Sequence, residues 1–269
     1  MNQKLIAIDL DGTTLNANSE LTQETIDTLH AVQKLGHKVA IVTGRPYRSS
    51  KEIYNQLNLG GPIVNFNGAL CHIPSKPEWD GRYHITLDTD LVLDLVAFNK
   101  TLPVDYLMVE GTELMYSNIT ELPDCPYYPK DQKPLLIHPT TKLKEKPTAV
   151  ALFSDVELQS EIKKKILHRY NNGIEVRTWG GSYPCLEVIT SGIHKAKAVE
   201  HLSRYYDIHQ KDILAFGDED NDMEMIQYAG HGVAMQNGID ELKNVANAIT
   251  PFTNDQNGLA KYLQDYFKL

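Results

Sequence analysis

Lys4-Leu5-Ile6-Ala7-Ile8-Asp9-Leu10-Asp11-Gly12-Thr13 is a short apolar run that stops on acidic residues and a glycine. Strands buried on both faces of a parallel sheet read as continuous apolar runs, so residues 4–8 predict such a strand. A strand of this kind hands its next residues to the carboxyl edge of the sheet, where ligands of open α/β folds bind. That places Asp9 and Asp11 at a candidate site. Two desolvated carboxylates so close together cost several kcal/mol each unless a cation offsets them. Mg²⁺ favours oxygen ligands and fits that need. Gly12 permits a tight turn close to a ligand.

Working outward, residues 22–35 carry apolar positions at mostly helical spacing, with Thr22 as N-cap and Gly36 as stop. Residues 38–42 read as a second buried strand. Pro46 opens a helix reaching about Leu57, and residues 62–66 read as a third strand. Strand, helix, strand, helix, strand is the pattern of a parallel sheet with right-handed crossovers. The far end repeats the style. Residues 193–206 read as a helix, 212–216 as a strand, 221–228 as a helix, 232–235 as a short strand and 259–267 as a closing helix. Both ends therefore belong to one α/β sheet.

The middle differs. Pro123, Pro126, Pro129, Pro134, Pro139 and Pro147 crowd into one stretch and argue for loops and edge strands. Around them lie alternating segments at 83–87, 104–108, 149–153, 175–178 and 185–189, and helical segments at 89–99 and 156–170. The predicted fold class is α/β: a Rossmann-like parallel sheet core, residues 1–82 and 189–269, interrupted by an α+β domain over 83–188.

Composition bounds the function. The chain has 269 residues, 42% hydrophobic and 23% charged, which excludes disordered, collagen-like and disulfide-scaffold classes. The net charge of −9 disfavours nucleic acid and anionic lipid as partners. Cys71, Cys125 and Cys185 are odd in number and too far apart for a Cys-x-x-Cys pair, which fits a reducing compartment. The first apolar run ends at Asp9, short of the roughly 7–15 residues of a signal-peptide core. No stretch approaches the roughly 18 apolar residues of a membrane span. A cytoplasmic protein is expected.

Three further signals carry chemistry. Asp218-Glu219-Asp220-Asn221-Asp222 follows a predicted strand and Gly217, ahead of a helix. A helix dipole explains one or two acidic residues there, not four, so the run points to a metal. Thr43-Gly44-Arg45 follows the second strand, where a hydroxyl, a glycine amide and a helix N-terminus make an anion seat. Lys195 opens a helix, the end at which dipole electrostatics disfavour a lysine, and so suits a bound anion. Lys197 competes for that role.

In this order, Asp9-Leu10-Asp11-Gly12-Thr13, Thr43-Gly44-Arg45, Lys195 and Gly217-Asp218-x-x-Asn221-Asp222 resemble the four motifs of the haloacid dehalogenase-like phosphatases. Asn67-Gly68-Ala69 and the insertion before Lys195 resemble the Cof-type branch, with its large α/β cap. The family usually has Gly after the motif lysine and this chain has Ala196; Lys195 is preferred over Lys197 for its distance from the Asp218 strand.

The resemblance implies an Mg²⁺-dependent phosphatase of small phosphorylated metabolites, sugar phosphates among them. Asp9 is then the nucleophile and forms an aspartyl-phosphate, and Asp11 is the general acid and base. Asp9, the Asp11 carbonyl and Asp218 hold Mg²⁺. Leu10, Thr43, Gly44, Lys195 and Asn221 hold the phosphate, and Asp222 orients its neighbours. The inserted domain closes as a lid. Arg45, Asn67, Gly68, Ser182 and Tyr183 are candidates for substrate contact. Two other readings compete: a phosphomutase or a dehalogenase on the same scaffold, and a non-enzymatic phospho-acceptor or metabolite-sensing module. Receiver-type modules are much shorter and carry no insertion. A dehalogenase needs only one of the two motif aspartates, and Asp11 speaks against it.

Overall fold

A computed structural model describes residues 2–123, 133–170, 173–179 and 183–269. The chain divides into two compact units. The first comprises residues 1–45, 50–84 and 194–269, and the second 46–49 and 85–193.

The first unit is built on an eight-stranded sheet. Its strands are β1 (Leu5–Ile8), β2 (Lys38–Val42), β3 (Ile63–Asn65), β4 (Leu70–His72), β5 (Tyr83–His84), β12 (Ile213–Gly217), β13 (His231–Ala234) and β14 (Ala248–Ile249). They lie in the order β14-β13-β12-β1-β2-β3-β4-β5. The run from β14 to β3 is parallel, and β4 and β5 add antiparallel strands at one edge. The sequence places residues 83–87 in the inserted domain, yet Tyr83 and His84 pair with β4 of this sheet. Two residues of alternation carry no information about which sheet they join.

Five helices lie wholly in this unit, α1 (Gln23–Lys34), α5 (Lys195–Tyr205), α6 (Met223–Tyr228), α7 (Asp240–Val245) and α8 (Gly258–Phe267), and α2 (Tyr47–Leu57) lies in it from residue 50 onward. Thr22 caps α1 by accepting from the Thr25 amide, and Gly36 follows the helix with φ +93°. Leu5, Ala7, Val42 and Ala215 pack with Val199 and Leu202 of α5 and Ile226 of α6. Ile6 and Ile8, on the opposite face of β1, are also fully buried. Burial on both faces is why residues 5–8 are continuously apolar. Truncating Leu5 to Ala would cost about 2–5 kcal/mol.

The second unit carries the six-stranded sheet β10-β11-β9-β6-β7-β8. These are β6 (Tyr106–Glu110), β7 (Met115–Ser117), β8 (Leu135–Leu136), β9 (Ala149–Phe153), β10 (Ile174–Trp179) and β11 (Cys185–Thr190). All pairings are antiparallel except β7 with β8. Helices α3 (Thr89–Phe98) and α4 (Val156–Arg169) cover one face. Val92, Leu95, Ile162 and Ile166 pack there against Leu107, Val150 and Val188. On the other face Tyr106 and Phe153 stack at 4.4 Å. The α/β class, with an α+β unit inserted into a parallel-sheet core, is the observed one. Pro126, Pro129 and Cys125 of the proline-rich stretch lie outside the described residues. Among the described residues no helix is long and apolar enough to cross a membrane.

Candidate active site

β1 and β12 are hydrogen-bonded neighbours, so their carboxyl ends deliver Asp9 and Asp218 side by side. The turn after β1 is closed by the Leu15 amide donating to the Leu10 carbonyl at 2.8 Å. Gly12 sits in it at φ +69°, and a Cβ there would lie 2.0 Å from Asp218 Oδ2. No other residue fits both the conformation and the space. Gly217 is required for a different reason: its Cβ would fall 2.4 Å from Asp222 Cγ.

Asp9, Asp218 and Asp222 each place a carboxylate oxygen within 4.8 Å of the others. All three are buried, Asp222 completely. Lys195 is fully buried too, and its Nζ donates to Asp9 Oδ1 at 2.7 Å and to Asp222 Oδ1 at 2.6 Å. Lys197 is exposed. This is why a lysine opens α5 against the dipole: its partners are the carboxylates in front of it. Three carboxylates against one ammonium leave a buried excess of negative charge.

The titration behaviour follows from that imbalance. Burial, opposed by Lys195 and reinforced by Asp222, Asp218 and Asp11, raises Asp9 well above the ordinary carboxylate range. Burial and then Asp222 push Asp218 up to about 7, against the Thr13 hydrogen bond. Burial works against the Lys195 charge, but Asp222 and Asp9 outweigh it and raise its pKa. A divalent cation would reverse the carboxylate shifts by favouring their charged forms.

The acidic run after β12 divides its labour. Glu219 and Asp222 form a capping box on the short turn Asp220–Asp222 ahead of α6. Asp222 Oδ2 accepts from the Asp218 amide at 3.0 Å and the Glu219 amide at 3.2 Å while its other oxygen holds Lys195. Glu219 and Asp220 are exposed. The helix-cap and metal readings therefore each explain part of the run.

The loop after β2 forms a second group. The Arg45 amide donates to Thr43 Oγ1 at 3.1 Å. Asn221 Nδ2 donates to Asn67 Oδ1 at 2.9 Å, and both side chains stand close to Gly44. Gly68 lies next in the chain, and its carbonyl accepts from Tyr83 at 2.9 Å. Arg45, offered by the sequence to a second anionic group of the substrate, is turned onto Asp11. Its Nε and Nη2 donate to the two Asp11 oxygens at 2.7 and 2.5 Å. The Asp11 carboxylate is accordingly half-exposed and outside the aspartate cluster. Leu10 is buried and contributes its backbone at the turn. Tyr183 belongs to the second unit, packed by Tyr106 and Phe153. Gly181 and Ser182 lie outside the described residues.

Three supporting side chains carry roles that the motif reading did not assign. Thr13 donates to Asp218 Oδ1 at 2.9 Å and Thr14 to the Asp9 carbonyl at 2.5 Å. Asn237 Nδ2 donates to the Gly12 carbonyl at 2.7 Å. The Thr13-Thr14 pair directly after the glycine was the available signal for the first two. Asn237, from a loop more than 200 residues away in sequence, had none. A cavity of about 430 Å³ lined by His37, Lys38, Gly60 and Tyr206 contains none of these groups and lies at the amino end of β2. The site is marked by its buried charge.

A parallel sheet with paired aspartates, a lysine and a hydroxyl-glycine seat at one edge defines a phosphoryl-transfer class of site. Residues 6–263 match the family model described as haloacid dehalogenase-like hydrolase, and the chain belongs to that family. It is 38% identical over 266 residues to the Bacillus subtilis protein named 5-amino-6-(5-phospho-D-ribitylamino)uracil phosphatase YitU, covering 98% of each chain. It is 30% identical to the putative phosphatase YxeH of the same organism, covering 97% of each. A haloacid dehalogenase-like hydrolase from Bacteroides thetaiotaomicron shares the fold, with a TM-score of 0.83, 23% identity and coverage of 99% and 100%. Within the family the chain is a phosphatase, the class its relatives carry.

Proposed function

We propose that the chain hydrolyses small phosphorylated metabolites with Mg²⁺, through an aspartyl-phosphate on Asp9. The observation that carries this reading is the buried cluster of Asp9, Asp218, Asp222 and Lys195. Its donor set fits the cation: hard oxygen ligands, buried, with more negative charge than one lysine offsets. Asp9, the Asp11 carbonyl and Asp218 would hold Mg²⁺, and Asp222 would fix Lys195 and the Asp218 amide. Bound there, the cation supplies charge neutralisation for the phosphoryl oxygens.

Asp9 attacks phosphorus and displaces the leaving alkoxide, which takes a proton from Asp11. Asp11 then removes a proton from the water that cleaves the aspartyl-phosphate. Both Asp11 oxygens face Arg45, so at least one of them leaves Arg45 before it reaches the leaving group. Lys195, Thr43, the Leu10 and Gly44 backbone and Asn221 hold the transferring oxygens. Residues 85–193 serve as the cap, closing over the leaving group and excluding water, with Tyr183 and Ser182 as its candidate contacts. The name of the relative YitU makes a phosphorylated ribitylamino-uracil the first substrate to assay, beside sugar phosphates.

The test is hydrolysis of an aryl phosphate with Mg²⁺. Asp9→Asn is expected to lower turnover by roughly 10⁴-fold with the fold intact by circular dichroism. Near-wild-type turnover by that variant would sink the assignment. Free phosphate released in step with substrate loss separates hydrolysis from mutase chemistry.

A further inference from the structure

Asn65 ends β3, a strand otherwise apolar and buried, and its own side chain is completely buried. Its Nδ2 donates to the Arg45 carbonyl and to Ser50 Oγ, each at 2.9 Å. Its Oδ1 faces His72 Nε2 at 3.2 Å. Burial, with Arg82 and His84 nearby, lowers the His72 pKa to about 4, so the ring is neutral at pH 7 and supplies one N–H in this bond. The arrangement has one sense. With the amide reversed, Asn65 Oδ1 would face the Arg45 carbonyl, acceptor against acceptor. Ser50 can donate or accept and does not choose between the two. The Arg45 carbonyl, which can only accept, does, and the His72 tautomer with Nε2–H then satisfies Oδ1.

The backbone around Asn65 grips the same loop. The Thr43 amide donates to the Val64 carbonyl at 2.9 Å, and the Asn67 amide returns to the Thr43 carbonyl at 3.0 Å. The Phe66 amide joins Asn65 on the Arg45 carbonyl at 3.3 Å. Phe66, Asn67 and Gly68 are all left-handed, with φ of +53°, +54° and +111°. Non-glycine residues held there cost on the order of 1–3 kcal/mol each and persist only where surrounding contacts demand it.

We infer that Asn65, its Oδ1 satisfied by His72, is a positioning residue: by holding the Arg45 carbonyl and Ser50 it sets where Thr43, Gly44 and the Arg45–Asp11 pair stand. The inference rests on the reading of Thr43 and Gly44 as the phosphate seat. Asn65 touches no reacting atom and acts through the loop it holds.

The test compares the full chain with Asn65→Ala, His72→Leu and His72→Gln. It measures kcat and KM for an aryl phosphate, the inhibition constant of inorganic phosphate, and the thermal midpoint. Asn65→Ala and His72→Leu are expected to weaken phosphate inhibition and raise KM, with kcat/KM lower by roughly 10- to 100-fold, as a displaced positioning group predicts. His72→Gln, which keeps an N–H toward Asn65, is expected to restore phosphate affinity. Lower midpoints with unchanged kinetics would reduce Asn65 to a stability element and overturn the inference. So would a His72→Gln variant as impaired as His72→Leu, and that pair carries the test if Asn65→Ala does not fold. A wild-type chain releasing no phosphate from any ester would overturn this inference and the phosphatase reading together. Wild-type turnover with unaffected variants would overturn Asn65 alone.

Discussion

The two units bury charge in opposite ways. In the second, Arg48 donates to both oxygens of Glu110, at 2.6 and 3.1 Å, and both side chains are buried: one positive group and one negative, in bidentate geometry. In the first, three buried carboxylates share one buried lysine. The pair matches one charge of each sign. The unbalanced cluster does not, and Asp9 and Asp218 respond by climbing toward their neutral forms. On the proposed reading, the excess at the carboxyl edge of the sheet is there for a cation.

The comparison can be broken at three points. Lys195→Met removes the single positive partner of the unbalanced cluster, and kcat/KM on an aryl phosphate is expected to fall by about 10²–10³-fold or more. Activity close to wild type would mean that Lys195 merely balances charge. In the second unit, Arg48→Met strands Glu110 and is expected to cost about 3–5 kcal/mol in urea denaturation, while Arg48→Met with Glu110→Leu recovers most of it. A double variant as unstable as the single one would show that the pair is not self-contained.

The smallest effect concerns the cation. Asp218 titrates near 7 in the folded chain, above the ordinary carboxylate value, because of burial first and Asp222 second. A raised carboxyl favours the folded state below its unfolded pKa, and that contribution is lost as pH rises through the folded one. The metal-free thermal midpoint should therefore decline between pH 5 and pH 8. Mg²⁺ should restore it at pH 8, by about 2.7 kcal/mol at a hundredfold excess over its dissociation constant, and do little at pH 5. An equal response at both pH values would contradict a carboxylate site.

Much of this was legible in the sequence. Continuous apolar runs marked β1, β2 and β12, and each handed its chemical residues to the same edge. The short strands β4, β7, β8 and β14 left no such trace, because two or three residues show no period. Both lysines lie in the first turn of one helix, and the sequence favoured Lys195 over Lys197 only by its distance from the Asp218 strand; burial against Asp9 and Asp222 bears that choice out. Arg45 was read as open to a substrate anion because its nearest charge in space, Asp11, lies 34 residues away in the chain.

The sequence by itself determined the α/β class, the inserted unit and the identity of the charged groups at the sheet edge. Those follow from periodicity and from the fixed direction in which a parallel strand points its next residue. Only the tertiary structure decided which of those charges face one another, how Arg45 and Asp11 pair, and that Asn65 and His72 brace the loop beneath them. These are contacts between residues on different elements, where burial makes each hydrogen bond or unpaired charge worth several times its value in water. No local pattern encodes them.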